Sequence, residues 1–132
     1  MKKIISILLV IFMTISITAC GTPDGFTDES YRIALDALDI TDQYIDAEID
    51  SDSAIEKIDR LKSLLNIEES NYDGGDSEVE SNLFMLSSDL RSLTVNIRSH
   101  NYESGSLLED FELSDLIDCR NELAERVGEK TR

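Results

Sequence analysis

The chain is short of the residues that most chemistry needs. It has one histidine, His100, so no pair of imidazoles can hold a metal. Its two cysteines, Cys20 and Cys119, make no CxxC pair and no disulfide framework. No G-x-S-x-G elbow and no G-x-x-x-x-G-K-[ST] phosphate loop occurs. Basic residues are scarce, with 12 Lys and Arg against 28 Asp and Glu, for a formal charge of −16. Nonspecific nucleic-acid binding runs on Lys and Arg, and this balance excludes it. These absences argue against an enzyme and for a module that binds.

What is present begins with a positive start, Lys2 and Lys3, and an almost unbroken apolar run from Ile4 to Ile17. The run is shorter than the roughly 20 residues of a spanning helix and has the layout of an export signal. Ile17-Thr18-Ala19-Cys20 closes it. This segment resembles the signal and lipobox of bacterial lipoproteins. The resemblance implies a diacylglyceryl group on the Cys20 thiol and cleavage after Ala19. Residues 1–19 would be lost, and Cys20 would become a lipid-bearing N-terminus on the extracytoplasmic face of the cell membrane. Two acyl chains anchor stably where one is marginal, at about 0.8 kcal/mol per buried CH₂.

Without residues 1–19 the chain keeps 113 residues, one domain's worth, and loses two lysines, so its charge becomes −18. Such a domain is repelled by anionic lipid and stays soluble. Residues 20–26, with the lone Pro23, read as anchor and tether. Residues 27–128 read as an acidic helical bundle, and 129–132 as a fraying tail.

Within the bundle, start signals precede apolar periods. Thr27 can cap a first helix to about Ile49, with Phe26 and Tyr31 as a hydrophobic staple. Its expected stripe is Tyr31, Leu35, Leu38, Ile45 and Ile49, with Thr41 and Asp42 filling a gap. Asp36, Asp39, Asp46 and Asp50 lie on other faces as solvated carboxylates. Ser53 and Glu56 form a capping box for a second helix to Leu65, striped by Ile55, Ile58, Leu61 and Leu65. Ser77 and Glu80 repeat the box before a third helix to Ser99. There Val79, Leu83, Leu86, Leu90, Leu93 and Ile97 alternate spacings of four and three, and Phe84 and Met85 widen the stripe. Ser106 and Glu109 open a fourth helix through Leu108, Phe111, Leu116, Cys119, Leu123 and Val127, ended by Gly128. The pattern predicts an all-α, up-down four-helix bundle. Ala34, Leu35, Leu38, Asp42, Tyr44, Ile45 and Asp46, then Ala54 and Leu61, are similar to small uncharacterised bacterial proteins built around a helical hairpin, a resemblance that implies no activity.

The stretch from Glu69 to Glu80 carries a candidate cation site. Glu69, Asn71, Asp73, Gly74 and Glu80 fall at positions one, three, five, six and twelve of a loop that resembles the EF-hand calcium loop. The resemblance implies weak calcium binding through Glu69, Asn71, Asp73 and Glu80. Two positions depart: Glu replaces Asp at the first, and Asp76 stands where an aliphatic residue is usual. No other cofactor is expected.

The remaining polar singletons have simpler readings. His100 sits at the end of the third helix, where it meets the helix dipole favourably. Cys119 reads as a buried structural thiol. Tyr72 and Tyr102 fall in loops at opposite ends of the bundle. The functional expectation is a lipid-anchored, monomeric, non-enzymatic interaction module for a basic protein partner. Its alternatives are a calcium module through 69–80 and an inhibitor or immunity-type protein against a basic toxin or enzyme.

Overall fold

A computed structural model describes residues 21–102 and 109–132. The lipobox with Cys20 and the expected Ser106–Glu109 box both reach outside the described residues. The described chain is four helices: α1 (Asp28–Ile45), α2 (Ser51–Asn71), α3 (Ser77–Tyr102) and α4 (Glu109–Arg126). No helix among the described residues is long and apolar enough to cross a membrane.

Consecutive helices pack on one another, with α3 bearing broadly on α2 and α4. The end of α1 meets the end of α3 through Tyr44 and His100. Gly25, just before α1, meets Asn82 near the start of α3. α1 and α3 therefore run in the same direction, and the helices alternate up and down as expected.

The expected α3 seam is the centre of the core. Val79, Leu83, Leu86, Leu90, Leu93 and Ile97 are all buried. Ala54, Ile58, Leu61 and Leu65 of α2 and Leu116, Leu123, Ala124 and Val127 of α4 close on it. Each fully buried aliphatic side chain contributes about 1.5–3 kcal/mol relative to exposure. Phe84 and Met85 do not widen this seam. They are 67% and 36% exposed, because their positions turn them off the buried face.

α1 presents a different stripe from the expected one. Ile33, Ala34, Ala37, Leu38, Ile40 and Thr41 are buried, while Tyr31, Leu35, Ile45 and Ile49 only flank the core. The two alanines let α1 lie close to its neighbours. Thr41 is tolerated inside because its hydroxyl donates to the Ala37 carbonyl at 2.7 Å.

The helix ends are set by caps. Thr27 caps α1, accepting the Ser30 N–H at 3.0 Å while the Ser30 hydroxyl accepts the Thr27 N–H. Phe26 and Tyr31 form the expected staple, ring centres 6.4 Å apart. α1 stops at Ile45 rather than Ile49. Glu48 N–H reaches back to the Gln43 carbonyl and Ala47 N–H to the Tyr44 carbonyl, which is the Schellman stop. It places Ala47 at φ 57°, a left-handed position usually held by glycine. Gly128, at φ 74°, makes the same stop after α4.

α2 is capped by Asp50, whose carboxylate accepts the Ser53 N–H at 2.7 Å. Ser53 is thus the third residue of the helix and not its cap. The helix also runs six residues past Leu65, to Asn71. Asp76, not Ser77, supplies the side-chain acceptor at the start of α3, taking the Glu78 N–H at 2.9 Å.

The tether and the tail are both tied down. Asn82 donates to the Gly25 carbonyl at 2.7 Å. Gly25 has φ 81°, and a Cβ there would meet Asn82 Nδ2 and Glu78 Oε1 at 2.8 Å. The tail expected to fray turns back along the bundle. Arg120 donates to the Lys130 carbonyl at 2.7 Å, and Arg132 bonds to Asp42, Asp46 and Asn121.

Candidate functional site

The end of the bundle away from the tether carries a cleft with both apolar and polar walls. The α1–α2 connection folds over the ends of α1 and α3 and leaves a cleft of about 540 Å³. Ile45, Ile49 and Leu113 give it an apolar lining, Tyr44 and His100 polar groups, and Glu48 and Asp50 its carboxylates. The strained Ala47 lies in the same wall. Left-handed non-glycine residues persist only where surrounding structure holds them, and they cluster at functional sites.

Tyr44 and His100 form the polar centre. The Tyr44 oxygen lies 2.6 Å from His100 Nδ1, and the rings stand edge to face with centres 5.7 Å apart. His100 does lie in the last turn of α3, as expected. Its ring is fixed by this tyrosine 56 residues away in the sequence, a partner the dipole argument did not foresee. The up-down topology holds the missed clue: Tyr44 and His100 stand at the ends of helices one and three, which share one end of a bundle.

Beside the cleft lies an ionic cluster that the sequence did not reveal. Arg120 is buried, and its fork meets the Asp42 carboxylate at 3.0 and 2.8 Å. Arg132 bridges Asp42 and Asp46. Its hydrogen bonds hold the Asp46 carboxyl below its ordinary value, against a weaker opposing effect of desolvation. Bonds from the Ser53 backbone and then its hydroxyl lower Asp50 likewise. Both carboxylates flanking the α1–α2 connection are thus set in the charged form.

The positions of the loop that resembles an EF-hand are divided between the end of α2, the turn after it and the start of α3. Glu69 and Asn71 are in the last turn of α2, whose extension past Leu65 removes them from the loop. The Tyr72 ring folds over Gly74, where a Cβ would meet its hydroxyl at 2.6 Å. The same hydroxyl accepts the Asp76 N–H at 3.3 Å. Glu69, Asp73 and Glu80 form no metal-binding group, and none occurs among the described residues. Tyr72 caps α2, and Tyr102 is the last residue of α3 rather than a loop residue.

Cys119 is half-buried, with Asn96 Nδ2 at 3.2 Å from its sulfur. Burial first, and then the negative charges of Glu122, Asp115, Asp118 and Asp89, push its thiol up. A thiolate nucleophile needs the opposite surroundings. Arg126 of α4 is paired with Asp89 of α3 at 2.7 Å nearby.

No protein-family model matches the chain, and comparison with curated proteins and with solved structures returned no match.

Proposed function

We propose that this chain is a lipid-anchored, extracytoplasmic binding module whose Tyr44–His100 cleft receives a cationic side chain of a basic protein partner. The observation that carries the reading is the cleft itself: two rings set edge to face, an apolar lining and the carboxylates of Glu48 and Asp50. A cation over an aromatic face and beside a carboxylate gains from both, by about 0.5–2 kcal/mol for the ring alone. The charge of the chain adds steering, which raises the on-rate for a basic partner more than its final affinity. An inhibitor or immunity-type role against a basic toxin is one form of the same reading. The anchor rests on Lys2, Lys3, the apolar run and Ile17-Thr18-Ala19-Cys20.

The test uses the full chain in neutral-lipid nanodiscs with an arginine-rich peptide as probe. Glu48→Gln with Asp50→Asn removes two charges and keeps the α2 cap, because Asn also caps. Asp36→Asn with Asp39→Asn removes two exposed charges from α1. The first pair is expected to weaken binding about tenfold more than the second. Equal losses would mean diffuse charge attraction and end the cleft reading. The anchor is tested separately by the intact mass, which should carry the lipid and fall short of residues 1–19 unless Cys20 is serine.

A further inference from the structure

The outward face of α3 carries a second heptad stripe that the core does not use. Ser81, Phe84, Ser88, Arg91, Val95 and Arg98 alternate spacings of three and four, and all six are exposed. Phe84 is 67% exposed and Val95 52%, which makes them two of the most exposed large apolar residues described. Small serines stand between the larger side chains, so a neighbouring backbone can approach closely.

The charge of this face is opposite to that of the chain. Between Ser81 and Ser99 the only acid on α3 is Asp89, and it is half-buried and paired with Arg126. Arg91 and Arg98, like Lys57 and Lys130, make no ion pair among the described residues, whereas Arg32, Arg60, Lys62, Arg120, Arg126 and Arg132 all do. In a chain with 28 acids an unpaired exposed arginine is the exception. The two are not equivalent. Arg98 lines a hollow beside Asp52, Glu56 and Asp59 of α2, which offset its charge without bridging to it. Arg91 is not among the residues lining that hollow.

We infer that the outer face of α3 docks an acidic amphipathic helix of a partner protein, with apolar residues on Phe84 and Val95 and a carboxylate on Arg91. Helices recognise one another by such apolar anchors at heptad spacing, and an arginine fork takes a carboxylate in two parallel bonds. A second copy meeting face to face suits it poorly, because that contact would set Arg91 and Arg98 against the same basic stripe. The face is distinct from the Tyr44–His100 cleft, and its ligand has the opposite charge.

The test reads an environment-sensitive dye on Ser81→Cys in the full chain, held in neutral-lipid nanodiscs. The probe is a helical peptide of Leu–Glu heptads. Saturable binding is expected, weakened at least tenfold by Phe84→Ser and by Arg91→Glu, and about threefold or less by Arg98→Glu. All three positions are exposed, and unchanged melting curves will establish that the variants fold. No response, or one indifferent to Phe84 and Arg91, overturns the inference. So does a dye shift produced only by added unlabelled chain, which would make the occupant a second copy. A shift produced only by anionic lipid in the nanodisc would make it a membrane, with the same consequence.

Discussion

Arg120 and Asp42 stand 78 residues apart in the chain and meet fork to fork, with Nε and Nη2 each donating to a separate carboxylate oxygen. The guanidinium is buried and its third nitrogen is taken by the Lys130 carbonyl, so its donors are used within the fold. Removing one partner of a buried pair strands the other. Asp42 is partly open to water and shares Arg132, which limits the damage. Arg120→Ala is expected to cost about 2–4 kcal/mol in urea unfolding, and adding Asp42→Ala to cost much less again. Fully additive losses would show that the pair is not a unit.

Ala47 holds a backbone position that suits glycine. Ala47→Gly relieves the left-handed strain at φ 57° and should stabilise the fold by about 0.5–1 kcal/mol, seen as a melting rise of a few degrees. The flanking Schellman bonds do not involve the side chain, so they survive. A fall in melting temperature would mean that the methyl group packs against something essential in the cleft wall.

Asp46 gives stability a pH dependence of definite sign. Its folded pKa is lowered, chiefly by the hydrogen bonds from Arg132. The contribution is therefore complete above the ordinary carboxylate value and is lost as pH falls through the lower, folded one. Protonation also relieves the self-repulsion of this acidic chain, which acts the other way. Comparing the parent with Asp46→Asn isolates the pair. The melting gap between them should be widest near neutrality and close below about pH 4. A constant gap would mean that the Asp46–Arg132 bonds do not form in solution.

Cys119 should be slow with alkylating reagents. A thiol raised by burial and by four nearby acids has little thiolate at pH 8, and only the thiolate reacts. Alkylation of the folded chain is expected at least tenfold below that of a free peptide thiol, rising to the peptide rate in denaturant. Equal rates would place the sulfur in open water.

The loop closed by Tyr72 makes its own prediction. Millimolar calcium, magnesium and chelator should give the same melting temperature at matched ionic strength. A site filled to about 100 times its Kd would add roughly 2.7 kcal/mol. A calcium-specific rise abolished by Glu80→Gln would restore Glu69, Asn71, Asp73 and Glu80 as a site.

The parts of this fold that were legible in the sequence are those governed by local rules. The α3 seam, the Thr27 cap and the Gly128 stop depend on residues within a few positions of one another. The expected stripe of α1, read from helical spacing, holds at Leu38 but not at its flanking members. Tyr31 and Leu35 are larger, yet Ala34 and Ala37 take the interior, where close approach matters more than bulk. The end of α1 was overrun because an alanine in a glycine position leaves no mark in the sequence. The loop at 69–80 satisfied a pattern of spacing, but α2 continued through two of its positions. Arg120–Asp42 and Tyr44–His100 are pairings between distant segments, and no local rule reaches them.

The bundle is closed unevenly. α3 lies broadly against α2 and α4, whereas α1 meets α4 over little backbone. That last boundary is fastened by polar links instead: Asp42 to Arg120, Asp46 to Arg132, and the Tyr31 hydroxyl to Glu129 at 3.1 Å. Leucine seams and ionic fastenings respond to different conditions. Salt screens the exposed Asp46–Arg132 link most, the buried Arg120–Asp42 pair much less, and weakens the leucine seams not at all. Hydrogen exchange in rising salt would then show the ring parting first between its first and last helices, with the α2–α3 hairpin the last region to exchange. The domain is in this sense a hinge-backed clasp, firm along its spine and ionic at its catch.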